Sequence, residues 1–262
     1  LQLELDQALQ RRFPVQMNHA SQLLLIACRA VGAFWARLGL APPPGPINVT
    51  FSVTRKCQSR CRTCFIWKHP PEPGSELDQE AVEILFRSIG RTYFFNVSGG
   101  EPFLRADLPE IVRLACRHLR PAVIHIPTNA LDPQRIEAMT REILDVIALE
   151  APGTILTIKP SMDGIGEAHD LVRGVPGNFR RLMDTLERLK NLRKSHRELH
   201  VGVGTVISRF NAEKLPEIIR FAGSLEVDTY INEVAVEREE FFNLGSGITP
   251  EGVSYGEIME TF

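Results

Sequence analysis

The sequence predicts a parallel α/β fold, an open sheet or a barrel, and three observations predict it. Six short runs rich in β-branched and aromatic residues alternate with five longer runs at helical spacing. Strands separated by helices pair in parallel through right-handed crossovers. The chain, at 262 residues and 44% apolar, is long enough to bury a large core.

The elements follow in order. The stretch from Ala20 to Pro42 is the most apolar, but Arg29 and Arg37 interrupt it, so no uncharged run is long enough for a membrane span. Leu23, Leu24, Cys28, Val31 and Phe34 or Trp35 recur at helical spacing. They predict an amphipathic helix packed on the main domain, with membrane-surface contact as the other use of such a face. Pro42 to Pro46 form a stiff connector. The predicted strands are Ile47–Val53, Tyr93–Val97, Ala122–Ile126, Thr154–Lys159, His200–Val206 and Asp228–Glu233. Between them lie the predicted helices Asp78–Gly90, Asp107–Leu119, Pro133–Ala148, Asn178–Lys194 and Ala212–Ser224. Asp132, Asn178 and Asn211 stand where helix N-caps are expected. After Glu233 come an acidic stretch, Gly245-Ser246-Gly247 and a possible last helix from Thr249. Three divisions result: a helical extension with its connector (1–45), the α/β domain (46–235) and a C-terminal extension (236–262). A first residue of Leu and a last helix running almost to Phe262 suggest a piece of a longer protein.

Composition removes some functions. Thirty Lys and Arg against 32 Asp and Glu give a net charge of −2, without the basic excess that nonspecific nucleic-acid binding needs. The five cysteines exclude a fully paired disulfide framework. Cys57, Cys61 and Cys64 cluster as C-x3-C-x2-C directly after the first strand, whereas Cys28 and Cys116 fit helical patterns as buried apolar residues. Such a cluster points to metal chemistry in a reducing compartment, the cytoplasm. Structural zinc wants four ligands, so His69 or a distant residue would have to complete the set. A four-iron cluster with one iron open suits three thiols, and Arg55, Lys56, Arg60 and Arg62 would offset its charge.

The C-x3-C-x2-C array resembles the radical S-adenosylmethionine superfamily, over about Pro46 to Glu233. The resemblance implies a partial (β/α)6 TIM-like barrel, here with an extra N-terminal helix. It implies that Cys57, Cys61 and Cys64 hold a [4Fe-4S] cluster whose open iron is chelated by S-adenosylmethionine. One departure is Thr63, where relatives commonly carry an aromatic residue; Phe65 follows the third cysteine instead. Gly99-Gly100-Glu101-Pro102 is similar to the family's GGEP element, which contacts the methionyl amino group. Thr128-Asn129 is similar to a pair that lines the cofactor pocket, and an ordinary polar turn is the other reading. Ser161-x-Asp163-Gly164 with His169-Asp170 and Arg173-Gly174 resembles a run in the peptide- and cofactor-modifying branch. There Ser161 or Asp163 would bind ribose hydroxyls, Arg173 would pair with the methionyl carboxylate, and His169 would order the loop. Thr205, Val206, Ser208 and Arg209 could face adenosine, Asn211 reads as a cap, and Glu233 could line a substrate pocket. Each of these elements follows a predicted strand, where parallel α/β barrels build their sites.

The activity so implied is reductive cleavage of S-adenosylmethionine to a 5′-deoxyadenosyl radical that abstracts hydrogen from a peptide or a small metabolite. An electron donor such as flavodoxin or ferredoxin is the implied partner. A lipid or isoprenoid substrate is one alternative, and a non-catalytic iron–sulfur or zinc-binding barrel is another. With no cysteine after Cys116, a second cluster would need a C-terminal segment beyond these residues.

Overall fold

The structure is a computed structural model and describes residues 19–41 and 44–250. Six parallel strands form one curled sheet in the order β1 to β6: Asn48–Ser52, Phe94–Ser98, Val123–Thr128, Ile155–Pro160, Leu199–Ile207 and Thr229–Val234. The first and last strands do not pair, so the curl is a half-barrel matching the predicted fold. Each strand falls within about two residues of its expected range.

Pleating sorts the strand residues. Phe95, Val97, Ile124, Ile126, Leu156 and Ile158 are fully buried in one apolar core with the helices that cover the outer face. Phe86 of helix α2 (Gln79–Ile89) anchors this core, with the Phe51 and Phe95 rings edge-on, both centroids 5.3 Å away. Truncating such a side chain costs roughly 3–5 kcal/mol. Asn96, His125, Thr157 and Lys159 alternate with these apolar residues and face the lumen. Register aligns Asn96 with His125, His125 with Thr157, and Pro127 with Lys159.

The helices follow the expected pattern with four corrections. Helices α3 (Leu108–His118) and α4 (Pro133–Glu150) lie as predicted, and the Asp132 carboxylate accepts from the Arg135 amide. Asn178 is not a cap. Asp170 accepts from the Gly177 and Phe179 amides at 2.6 and 2.7 Å, which frees Asn178 to donate to the Asn129 carbonyl. That carboxylate starts helix α6 (Asn178–Arg193) and belongs to a short helix, α5 (Glu167–Arg173), not anticipated from sequence. The predicted helix Ala212–Ser224 is split into a 3-10 turn and α7 (Leu215–Ser224), because Pro216 cannot donate to the preceding turn. Asn211 occupies the cap position without capping; its side chain turns back to Ser208, Val206 and Asp163.

Helix α1 (His19–Arg37) is tied to the barrel by Arg29, which donates to the Pro46 and Arg91 carbonyls. Its face toward the domain carries Arg29 and Gly32, and the latter meets Pro44. Leu24, Val31, Phe34 and Trp35 therefore point outward, and Cys28 is exposed, not buried. No helix among the described residues is long and apolar enough to cross a membrane. Residues 42 and 43 of the proline connector and the possible last helix beyond residue 250 lie outside the described residues.

Candidate three-thiol site

At the C-terminal mouth of the half-barrel a cavity of about 270 Å³ opens among the loops. Cys57, Cys61 and Cys64 line it together with Gly99, Gly100, Thr128, Asn129, Ser161, Arg173 and Glu233. Residues at or after the C-terminal ends of five strands thus meet in one place, as a site after parallel strands should.

The cysteine loop is held by backbone contacts. The Gly100 amide donates to the Thr54 carbonyl and the Glu101 amide to that of Lys56, at 2.7 and 2.8 Å. Any side chain at Gly99 or Gly100 would run into those same carbonyls. On the other side the Arg60 and Arg62 amides donate to the Arg173 and Val172 carbonyls at 3.0 and 2.9 Å. Gly174, at φ +69°, leaves room for the Arg60 carbonyl there. Ser59 adds a bond from its hydroxyl to the Arg173 carbonyl and touches Cys61 Sγ at 3.2 Å.

Burial pushes the Cys57 thiol up to about 12 and the Cys64 thiol up to about 11. The neighbouring cation acting on them is Arg173, which opposes the rise. Two of the loop's four cations take other partners: Arg62 lies over the Phe210 ring and Lys56 pairs with Glu76 at 3.7 Å. The Asn129 amide approaches Cys57 Sγ at 3.8 Å.

Arg173 is buried. It pairs through Nη1 with Asp163 Oδ2 at 3.1 Å, while its Nε is sealed from solvent with no partner. Asp163 lies behind the wall, accepting from the Val206 amide, and its own amide donates to His169 Nδ1. The run from Ser161 to Gly174 therefore braces Arg173 and the cysteine loop, and His169 orders it as predicted. Glu101 is likewise behind the wall. Its carboxylate accepts from Thr128 Oγ1, the Asn129 amide and the Phe103 amide. Burial raises it to about 7 against those hydrogen bonds.

Part of the wall was not anticipated. Ala235, Val236, Arg238, Phe241, Asn243 and Ile248 complete the cavity from a strap that follows β6. The Phe65 amide donates to the Phe241 carbonyl, and buried Asn243 donates to the Thr63 carbonyl while accepting from the Arg238 amide. The Glu237 carboxylate closes the strap on the Gly245 and Gly247 amides, so the acidic stretch and the Gly-Ser-Gly were its only trace in the sequence.

A cysteine-ligated group would have to fit these residues. Among the described residues no three His, Cys, Asp or Glu side chains converge closely enough for a single metal ion. The three thiols line one cavity, and three cysteine ligands suit a four-iron cluster with one iron open, whereas structural zinc wants four ligands. Arg173 lines the same cavity, and its guanidinium suits an anionic ligand there. The residues fit the group.

Fold and cavity together define a half-barrel protein with a three-thiol site at its mouth. The chain belongs to the Radical SAM superfamily, whose family model matches residues 51–222. It is 27% identical over 219 residues to the AdoMet-dependent heme synthase of Oleidesulfovibrio alaskensis, covering 82% of this chain and 52% of that protein. It is also 27% identical over 180 residues to the mycofactocin maturase MftC of Mycolicibacterium smegmatis, covering 68% and 42%. Among solved structures it is similar to Streptococcus suis SuiB bound to S-adenosylmethionine, at a TM-score of 0.60 and 14% identity, covering 83% and 46%. SuiB has also been solved bound to precursor peptide SuiA. The chain spans about half the length of the curated relatives it matches.

Proposed function

We propose that this chain is the radical-forming barrel of an S-adenosylmethionine-dependent enzyme that acts on a peptide or a small biosynthetic metabolite. Residues 46–235 form its barrel, with extensions on either side. When bound, a [4Fe-4S] cluster and S-adenosylmethionine supply a 5′-deoxyadenosyl radical, through one-electron cleavage of the sulfonium C–S bond, for hydrogen abstraction from substrate carbon.

The observation that carries this reading is the meeting of three thiols and the Arg173 guanidinium on one cavity. Cys57, Cys61 and Cys64 are the cluster ligands. Arg173 supplies a fixed positive charge for the methionyl carboxylate, and Asp163 aims it. The backbone of Gly99 and Gly100 receives the methionyl amino end, while Glu101 acts as a positioning residue by holding Thr128 and Asn129. Asn129 offers an N–H to the Cys57 sulfur. Ser161 faces the cavity as a partner for ribose. The strap residues Val236 and Phe241 exclude water from the apolar side. An external one-electron donor, such as flavodoxin or ferredoxin, is the partner this chemistry needs. A precursor peptide bound to SuiB and the heme and mycofactocin names of the relatives support a peptide or cofactor precursor as substrate.

Anaerobic reconstitution tests the ligand assignment. Wild-type protein should bind iron and sulfide and then bind S-adenosylmethionine. Cys57→Ala, Cys61→Ala and Cys64→Ala should each lose the iron, and Cys28→Ala should keep it. Equal iron in all four variants would refute the assignment.

A further inference from the structure

Beneath the thiol cavity the lumen holds a cation that the cofactor reading leaves without a task. Lys159 stands on β4 two residues below Ser161, on the same inward face. Its stem runs across Gly204 of β5, where an added Cβ would come within 3.1 Å of Cδ and Cε. Glycine at 204 thus keeps the path of the side chain open. The ammonium has no hydrogen bond and no ion pair among the described residues. Nor is Nζ among the polar atoms sealed from solvent. Three other partly buried or buried cations of the barrel show the contrast. Lys190 donates to the Leu225 carbonyl, Arg188 pairs with Glu137 and Asp184, and Arg105 pairs with Asp107.

Two neighbours define the charge around it. Glu233 of β6 is the carboxylate acting on Lys159, too far away to pair, and it lines the thiol cavity. His125 of β3 is held neutral by burial and by Lys159. The lumen below the cavity therefore presents an unpartnered positive charge, two residues along the chain from Ser161, which lines the cavity. Partial desolvation of an unpaired cation is unfavourable, and a bound anion relieves it. A single ammonium with three donors matches a carboxylate. A phosphate dianion would require further cations or a nest of amides, whereas the groups acting on Lys159 are a carboxylate, Glu233, and a neutral imidazole, His125.

We infer that Lys159 anchors a carboxylate of the substrate in the barrel lumen. This rests on the radical-forming reading above and narrows its substrate to a carboxylate-bearing peptide or metabolite. The test is calorimetric binding to the reconstituted, oxidised protein with S-adenosylmethionine and no reductant. One probe is glutarate, for a small metabolite; the other is an acetylated and amidated peptide with one internal glutamate. Wild-type protein should bind one probe, and which one it binds distinguishes the two sources. Lys159→Met should weaken that binding about tenfold or more, the loss expected for a charge-assisted hydrogen bond. Lys159→Arg should recover part of it, which a mere change of volume would not. Binding of neither probe by wild type, or equal binding by Lys159→Met, would overturn the inference. Because no radical is formed in this assay, binding through Lys159 in a protein that never yields 5′-deoxyadenosine would refute the proposed activity and spare the subsite.

Discussion

Gly174→Ala should detach the cysteine loop, and Gly177→Ala supplies the matched control. Both glycines sit in the left-handed region, at φ +69° and +75°. Alanine there costs about 1–2 kcal/mol at either position. The surroundings differ. Nothing lies within 4 Å of a Cβ added at Gly177, whereas one added at Gly174 would meet the Arg60 carbonyl. The loop must then move, and three bonds to helix α5 are lost: Arg60 to Arg173, Arg62 to Val172, and the Ser59 hydroxyl to Arg173. At about 1 kcal/mol each they add about 3 kcal/mol. Gly174→Ala should therefore destabilise the apoprotein by about 4–5 kcal/mol in urea denaturation, and Gly177→Ala by about 1–2 kcal/mol. Iron bound after anaerobic reconstitution should fall in the first variant only. Equal shifts and equal iron would refute the claim that Gly174 docks the thiol loop.

Asp163→Asn should be strongly destabilising, by about 3–5 kcal/mol, because Arg173 keeps its charge in a buried place without a counter-charge; a denaturation midpoint matching wild type would contradict this. Glu101 predicts a pH dependence. Its pKa is raised by burial from 4.5 to about 7, so the folded state holds this proton more tightly than the unfolded state does. Its contribution is fully present below about 4.5 and is lost as pH rises to about 7. Subtracting the Glu101→Gln stability curve from that of wild type should expose a fall of about 3 kcal/mol across that window, and a flat difference would contradict the burial of the carboxyl. Asn243→Ala should leave the Thr63 carbonyl and the Arg238 amide unpartnered, costing about 2 kcal/mol and weakening S-adenosylmethionine binding through the strap; unchanged stability and binding would exclude the strap from the site.

Periodicity made the barrel readable, because each strand buries one face against helices and each helix buries one stripe. Phe95 with Val97, Ile124 with Ile126, and Leu156 with Ile158 carry that signal, and their positions matched. Position after a strand made much of the cavity readable too: the three thiols, the two glycines, Thr128, Asn129, Ser161 and Arg173 all line it. Directions of side chains were not readable. Glu101 and Asp163 stand in the right loops but turn away from the cavity, since the Asn129 and Val206 amides compete for their carboxylates. Asp170, a long-range cap, displaced Asn178 from the role that its local sequence suggested. Helix α1 defeated the burial rule, because hydrophobic spacing identifies a face without saying which neighbour covers it; Cys28 is exposed for that reason. The strap escaped notice because Asn243 and Phe241 reach the thiol loop through backbone groups, which leave no residue pattern.

On the proposed function, the three-thiol cavity generates a radical from S-adenosylmethionine. The most direct test is the yield of 5′-deoxyadenosine from anaerobically reconstituted protein given dithionite and S-adenosylmethionine. Wild type should form it, and Cys57→Ala, Cys61→Ala and Cys64→Ala should not. A protein that binds zinc in place of iron and forms no 5′-deoxyadenosine would contradict the account.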